Sequence, residues 1–137
     1  MVYLSPKGQK GGDSMSSTVF EKSTKSWYVP AITLQQLIFE HSINDCNFIK
    51  IDIEGGEFNA LPSMVDFLKN NKPTLYLSLH PHLIIDPRKS MEKIYDVISM
   101  YKHLYDNQLH EIAKDSILNE ISFDSPSEVV VSDKHLN

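Results

Sequence analysis

The stretch FIKIDIEGGE, residues 48 to 57, puts three carboxylates and a glycine pair at the end of an apolar run. A second run, TLYLSLHPH at residues 74 to 82, ends in two imidazoles. Carboxylates and imidazoles at strand ends can accept hydrogen bonds from hydroxyls and amines, take up a proton, or hold a divalent ion. Asp52 and Glu54 are two residues apart, so on a strand they leave the same face with Cα atoms roughly 6.5 Å apart. If the two runs are neighbouring strands, Asp52, Glu54 and Glu57 face His80 and His82 across a crevice at the carboxyl ends, where open α/β sheets take their ligands. Three uses compete for these residues. They line a polar pocket; they hold a metal; or they are structural, with Glu54 and Glu57 satisfying the glycine turn and the following helix start, and His82 an exposed loop residue. HPH fixes neither geometry nor ligand number and no H-E-x-x-H is present, so no metal is assigned.

The elements that must position these groups are legible from hydrophobic period. NFIKIDIE alternates, with Ile49, Ile51 and Ile53 on one side and Phe48, Lys50, Asp52 and Glu54 on the other. Lys50 on a central strand needs a partner, and Asp52 is the candidate. Gly55 and Gly56 turn the chain. Glu57 opens a helix, where negative charge suits the amino end, and Pro62 kinks it or starts a second helix. Leu75, Leu77 and Leu79 alternate in the next strand, which Pro81 stops. DPRKSMEKIYDVISMYKH reads as a helix with Met91, Ile94, Tyr95, Ile98 and Tyr101 on its apolar stripe. Upstream, TLQQLIFEH reads as a short helix capped by Thr33. MVYLS, STVFEK and SWYVPAI read as short extended pieces, and PKGQKGGDSMSS as a loop. HLYD, LHEI and ILNEI are short strand candidates, and SEVVVSDK a closing strand. The alternation of strands and helices is an α/β pattern with a mixed, partly parallel sheet and helices on both faces.

A chain of 137 residues, 41% apolar, suits one domain with one core. The net charge of −5 and the scattered lysines and arginines argue against a nucleic-acid partner. The lone Cys46 allows no disulfide framework and no cysteine zinc cluster; it favours a reducing, cytoplasmic setting and reads as a half-buried residue near a strand start. No apolar run reaches the roughly 18 residues of a membrane span. No serine, threonine or cysteine stands beside a histidine–acid pair, which leaves covalent nucleophilic catalysis without support.

FIKIDIEGGEFNAL closely resembles the central motif of the FkbM-type S-adenosylmethionine-dependent methyltransferases, in which a strand carries Lys-x-Asp-x-Glu-Gly and a further Glu before a helix. The matching positions are Lys50, Asp52, Glu54, Gly55 and Glu57. VPAITLQQLI resembles the segment before that strand, through Thr33 and Leu34. KPTLYLSLHPH resembles the next strand, which follows a Lys-Pro pair and ends at a histidine, here Lys72, Pro73 and His80. The family often has an acid where Ser78 stands, a departure that weakens a catalytic role at that strand end. EVVVSDK resembles the last strand of the fold. The likeness spans about residues 15 to 133 and is strongest over 29 to 82.

The resemblance implies a Rossmann-like class I methyltransferase sheet and O-methyl transfer from S-adenosylmethionine to a small molecule or sugar. Asp52, Glu54 and His80 are then the candidate catalytic residues, and Glu57 and His82 support the pocket or turn. Methyltransferases of this fold hold the cofactor mainly on a glycine-rich turn after the first strand and an acid after the second, and no such pair precedes residue 48. The expectation is therefore a single incomplete domain over 1–137, with a loop-rich lead-in at 1–28 and an α/β core at 29–133, that does not grip the cofactor alone. In the complete fold the strand at 48–54 is interior. Without its neighbour it exposes an edge that invites a second copy or a partner chain, and MVYLS could cover part of it. The rival readings are a non-catalytic remnant or interaction module that pairs through that edge, and a metal-dependent hydrolase using Asp52, Glu54 and His80.

Overall fold

The computed structural model describes residues 2–4 and 27–136, and the expected PKGQKGGDSMSS loop and STVFEK strand lie outside them. Strands β1 (Val2–Leu4) and β2 (Trp27–Val29) pair antiparallel with each other, Val2 opposite Val29 and Leu4 opposite Trp27. MVYLS therefore joins the SWYVPAI segment and not the edge at residues 48–51. Helix α1 (Leu34–Glu40) starts where expected: the Thr33 side chain accepts from the Gln36 backbone N–H at 3.1 Å.

The main body is a four-stranded sheet in the order β3-β4-β6-β5, with β3 at Phe48–Ile51, β4 at Thr74–Leu79, β5 at His103–Asp106 and β6 at Ser127–Ser132. Strands β3 and β4 are parallel, while β6 runs antiparallel to both β4 and β5. This is the expected mixed α/β sheet with helices on both faces, consistent with part of a Rossmann-like fold. Registers align two rows across all four strands. Ile49, Leu75, Val131 and Leu104 form one row, on the core face. Lys50, Tyr76, Val130 and Tyr105 form the other, on the opposite face.

Helices fill the core face because their apolar stripes match it. Pro62 sits inside α2 (Glu57–Ser63), and the helical path breaks at Met64 before α3 (Val65–Asn71), as a missing N–H predicts. Helix α4 (Pro87–Ser99) has Asp86 as its cap and Pro87 at its first position, and buries Met91, Ile94, Val97 and Ile98. These side chains pack with Leu61, Leu68, Leu75, Leu77 and Leu79 in one cluster.

Three expectations change. ILNEI is not a strand: Ile117–Glu120 is the short helix α5, whose Ile117 is buried. Burial next to a one-turn 3-10 helix at Lys114–Ser116 prevailed over its β-branched content. LHEI supplies only one bridge, Glu111 opposite Tyr105. The alternation of residues 48–54 ends at Ile51, so Ile53 is 46% exposed and does not continue the core row.

Lys72 takes a left-handed conformation at the end of α3, φ 50°, where glycine is the usual choice. Its side chain explains the residue type. The Nζ donates to the Met100 carbonyl, lies 3.7 Å from the Asp133 carboxylate and sits 4.9 Å from the centre of the Tyr101 ring. The Tyr101 hydroxyl beneath it is buried with no partner among the described residues, and burial, with Asp133 second, pushes the phenol well above its ordinary range. An unmet buried hydroxyl costs desolvation without return. Tyr101→Phe is therefore expected to leave stability unchanged or raise it by about 1 kcal/mol, read from urea unfolding midpoints at constant m-value. A loss above that size would mean the hydroxyl has a partner.

Candidate functional site

The carboxyl ends of β3 and β4 lie side by side, Ile51 opposite Leu77, so the segments leaving the two strands come together. After Ile51 the chain leaves the sheet and turns through Glu54 at φ 52° and Gly55 at φ 90°, into α2. Gly55 suits its dihedral because it has no Cβ. Gly56 has a different reason: a Cβ there would lie 3.1 Å from both the Cδ1 and the carbonyl oxygen of Ile53. The turn is tight because its backbone closes on itself, with Gly56 N–H donating to Ile53 O at 3.0 Å.

Glu57 is the organising residue, and its side chain is wholly buried. One carboxylate oxygen accepts from the Gly55 N–H at 2.9 Å. The other accepts from the His80 backbone N–H at 2.6 Å and lies 3.1 Å from His80 Nδ1. A carboxylate only accepts, so Nδ1 carries the proton and Nε2 is the free face of the ring. That face points at the other two acids, with Nε2 3.8 Å from an Asp52 oxygen and 3.9 Å from a Glu54 oxygen. Both gaps exceed a hydrogen bond, so the unprotonated Nε2 has no donor from either acid. The Asp52 and Glu54 carboxylates are partly exposed, while the imidazole is buried. Lys50 pairs with Asp52 at 3.1 Å. Because β3 is an edge strand of the described sheet, Lys50 is exposed and carries no burial cost.

The structure thus brings Asp52, Glu54, Glu57 and His80 into one constellation. His82 stands apart on the 3-10 turn Pro81–Leu83, exposed, with its ring centre 5.9 Å from that of His80. The donor atoms of Asp52, Glu54 and His80 lie within 4.8 Å of one another, a spacing that also suits a divalent ion with two hard oxygen ligands.

One carboxylate escaped the reading of the sequence. Glu128 on β6 lies opposite Ser78 in register and so shares its face. It is supplied by the strand beside the position where the resemblance leads one to look for an acid. Only the β4–β6 pairing reveals it, and no local spacing carries that signal. A cleft of about 290 Å³ opens at the same end of the sheet, lined by Asp106, Ile112, Ile117, Ile121, Glu128 and their neighbours.

Residues 2–113 match the methyltransferase FkbM domain, which takes in β3, the glycine turn and His80 and stops before α5 and β6. No curated protein and no solved structure matches the chain.

Proposed function

This chain belongs to the methyltransferase FkbM domain family, and we propose that it forms the acceptor-facing part of an O-methyltransferase domain that acts on a hydroxyl of a sugar or other small molecule. The observation that carries this reading is the convergence of Asp52, Glu54 and the Glu57-anchored His80 at the ends of two adjacent parallel strands. Glu57 fixes the tautomer of His80, as a buried acid does for a catalytic histidine, and leaves Nε2 to take the proton of an acceptor hydroxyl. Asp52 and Glu54 accept from neighbouring hydroxyls of a polyol and set its orientation, on which in-line transfer depends.

The described residues do not fit S-adenosylmethionine as a whole. The two amides of the glycine turn, the natural place for the cofactor's carboxylate, already point inward, Gly55 to Glu57 and Gly56 to Ile53. What remains at the site is acidic. In this reading the nucleoside is held by a complementary segment or chain, and the 137 residues correspond to the second part of the domain.

The test has two arms. Titration calorimetry of S-adenosylmethionine into the chain alone is expected to show no binding. Adding the glycine-rich first half of an FkbM-type domain should then give labelled-methyl transfer to sugar hydroxyls that falls at least ~100-fold in His80→Asn. Stoichiometric cofactor binding by the chain alone would sink the divided domain, and undiminished transfer by His80→Asn would sink the assigned base.

A second reading has its own support. Among the described residues nothing pairs with the outer side of β3, whose Phe48 is 59% exposed. An open edge of this kind recruits another strand, so the chain would serve as a module that docks through β3. Sedimentation velocity of the wild type against Phe48→Lys separates this reading from the first, since only edge pairing makes the association depend on Phe48.

A further inference from the structure

We propose that His103, Glu111 and His135 form a divalent transition-metal site, of the kind that takes Zn2+, at the amino end of the parallel strands. It lies at the opposite end of the sheet from Asp52, Glu54 and His80. One donor atom of each of the three lies within 4.8 Å of the others. Two imidazoles with one carboxylate are a borderline donor set that suits zinc and its neighbours and not calcium or magnesium.

Three separate segments deliver these donors, and each is held in place. His103 begins β5 on the face opposite the core, since its neighbour Leu104 is fully buried in the core cluster. Glu111 returns to β5 through a turn in which Asp106 accepts from the Gln108 and His110 backbone N–H groups, both at 2.8 Å. Those two bonds, the His110 one first, hold the Asp106 carboxyl below its ordinary range. The Tyr105–Glu111 bridge sets the register, and Glu111 Oε1 then lies 2.7 Å from His103 Nδ1. His135 comes just after β6, and its ring lies 5.2 Å from that of His103, tilted by 30°.

The arrangement beneath His135 is what a ligating imidazole needs. Its Nδ1 is 3.1 Å from the hydroxyl of Tyr105, a fully buried residue, and that oxygen also accepts from the Leu136 N–H at 3.2 Å. A metal-bound histidine donates its other ring N–H to a fixed acceptor, which sets the tautomer and the ring angle. Tyr105 supplies that acceptor and leaves Nε2 of His135 for the ion. Metal–nitrogen and metal–oxygen bonds of about 2.1 Å place tetrahedral ligands roughly 3.4 Å apart, inside the 4.8 Å that bounds the three donors, so side-chain rotations that release the His103–Glu111 hydrogen bond bring them to the ion. His103 is partly exposed and Glu111 and His135 are exposed, which gives them room to rotate. Three protein ligands leave a fourth position for water. The ion would fasten the segment after β6 onto β5.

The experiment uses the untagged full chain. Equilibrium dialysis against ZnCl2 should give one tightly held equivalent, and CoCl2 should give the visible absorption of a four-coordinate site. His135→Ala and Glu111→Gln should each weaken binding at least tenfold. Tyr105→Phe, which removes only the supporting acceptor, should weaken it about tenfold. Circular dichroism of each variant checks that it is folded. Two results overturn the site: no saturable equivalent, or an equivalent that survives His103→Ala/His135→Ala and is lost in His80→Asn, which would place the ion on the Asp52–Glu54–His80 cluster.

Discussion

Glu57→Ala is expected to destabilise the chain by about 3–5 kcal/mol, because three buried donors lose their one acceptor together. The mechanism lies in the donors left behind. The Gly55 amide, the His80 amide and His80 Nδ1 all point at one carboxylate that water does not reach. Each stranded buried donor costs about 1–3 kcal/mol, less than additively because the turn relaxes. Glu57→Gln keeps an acceptor but turns its amide N–H2 toward a donor, so it should fall between the two, at about half the loss. Urea unfolding monitored by circular dichroism measures both. Because the same residue sets the His80 tautomer, the imidazole resonances of His80 should move in Glu57→Gln while those of His110 stay. An alanine variant within about 0.5 kcal/mol of the parent would mean that the turn and the histidine hold their positions without the acid.

The second large effect is expected at Leu77→Ala, about 3–5 kcal/mol. Leu77 is fully buried on β4, hydrogen-bonded on one side to β3 and on the other to β6. The site has little freedom to collapse, so the cavity remains and the cost lies toward the top of the usual range. Ile53→Ala is the informative contrast. In a perfect alternation it would be a core residue like Ile51, but its side chain is 46% exposed, and the substitution should cost under about 1 kcal/mol. Equal losses at the two positions would contradict the strand end at Ile51.

That contrast also shows how far the sequence can be read. Period-2 alternation located β3 and β4, and the stripe of Met91, Ile94 and Ile98 located α4, because in each case one face must be apolar and nothing local competes. The pattern failed at Ile53, because the chain leaves the sheet after Ile51 on its way into the left-handed turn at Glu54 and Gly55. Glycine marks such a turn but does not say at which residue it begins. The acids and His80 were legible as strand-end residues, and their meeting followed once β3 and β4 were taken as neighbours. The buried state of Glu57 was not legible, since a glutamate at a helix start is most simply explained by solvent and the helix dipole. The opposition of Ser78 and Glu128, and the approach of His135 to His103, depend on long-range pairing that no window of sequence contains.

The position of β6 bears on how the molecule assembles. It comes after β5 in the chain, yet it lies between β4 and β5 and pairs with both. Order of synthesis and order of assembly therefore differ. As the polypeptide emerges, β3 and β4 can meet early through α2 and α3, whereas β5 has no strand beside it until residues 127–132 arrive and slot into the gap. Closure of these distant contacts carries a large loop entropy ahead of any reward, which makes this slot the natural slow step and leaves the β4 border open to intermolecular capture in the interval.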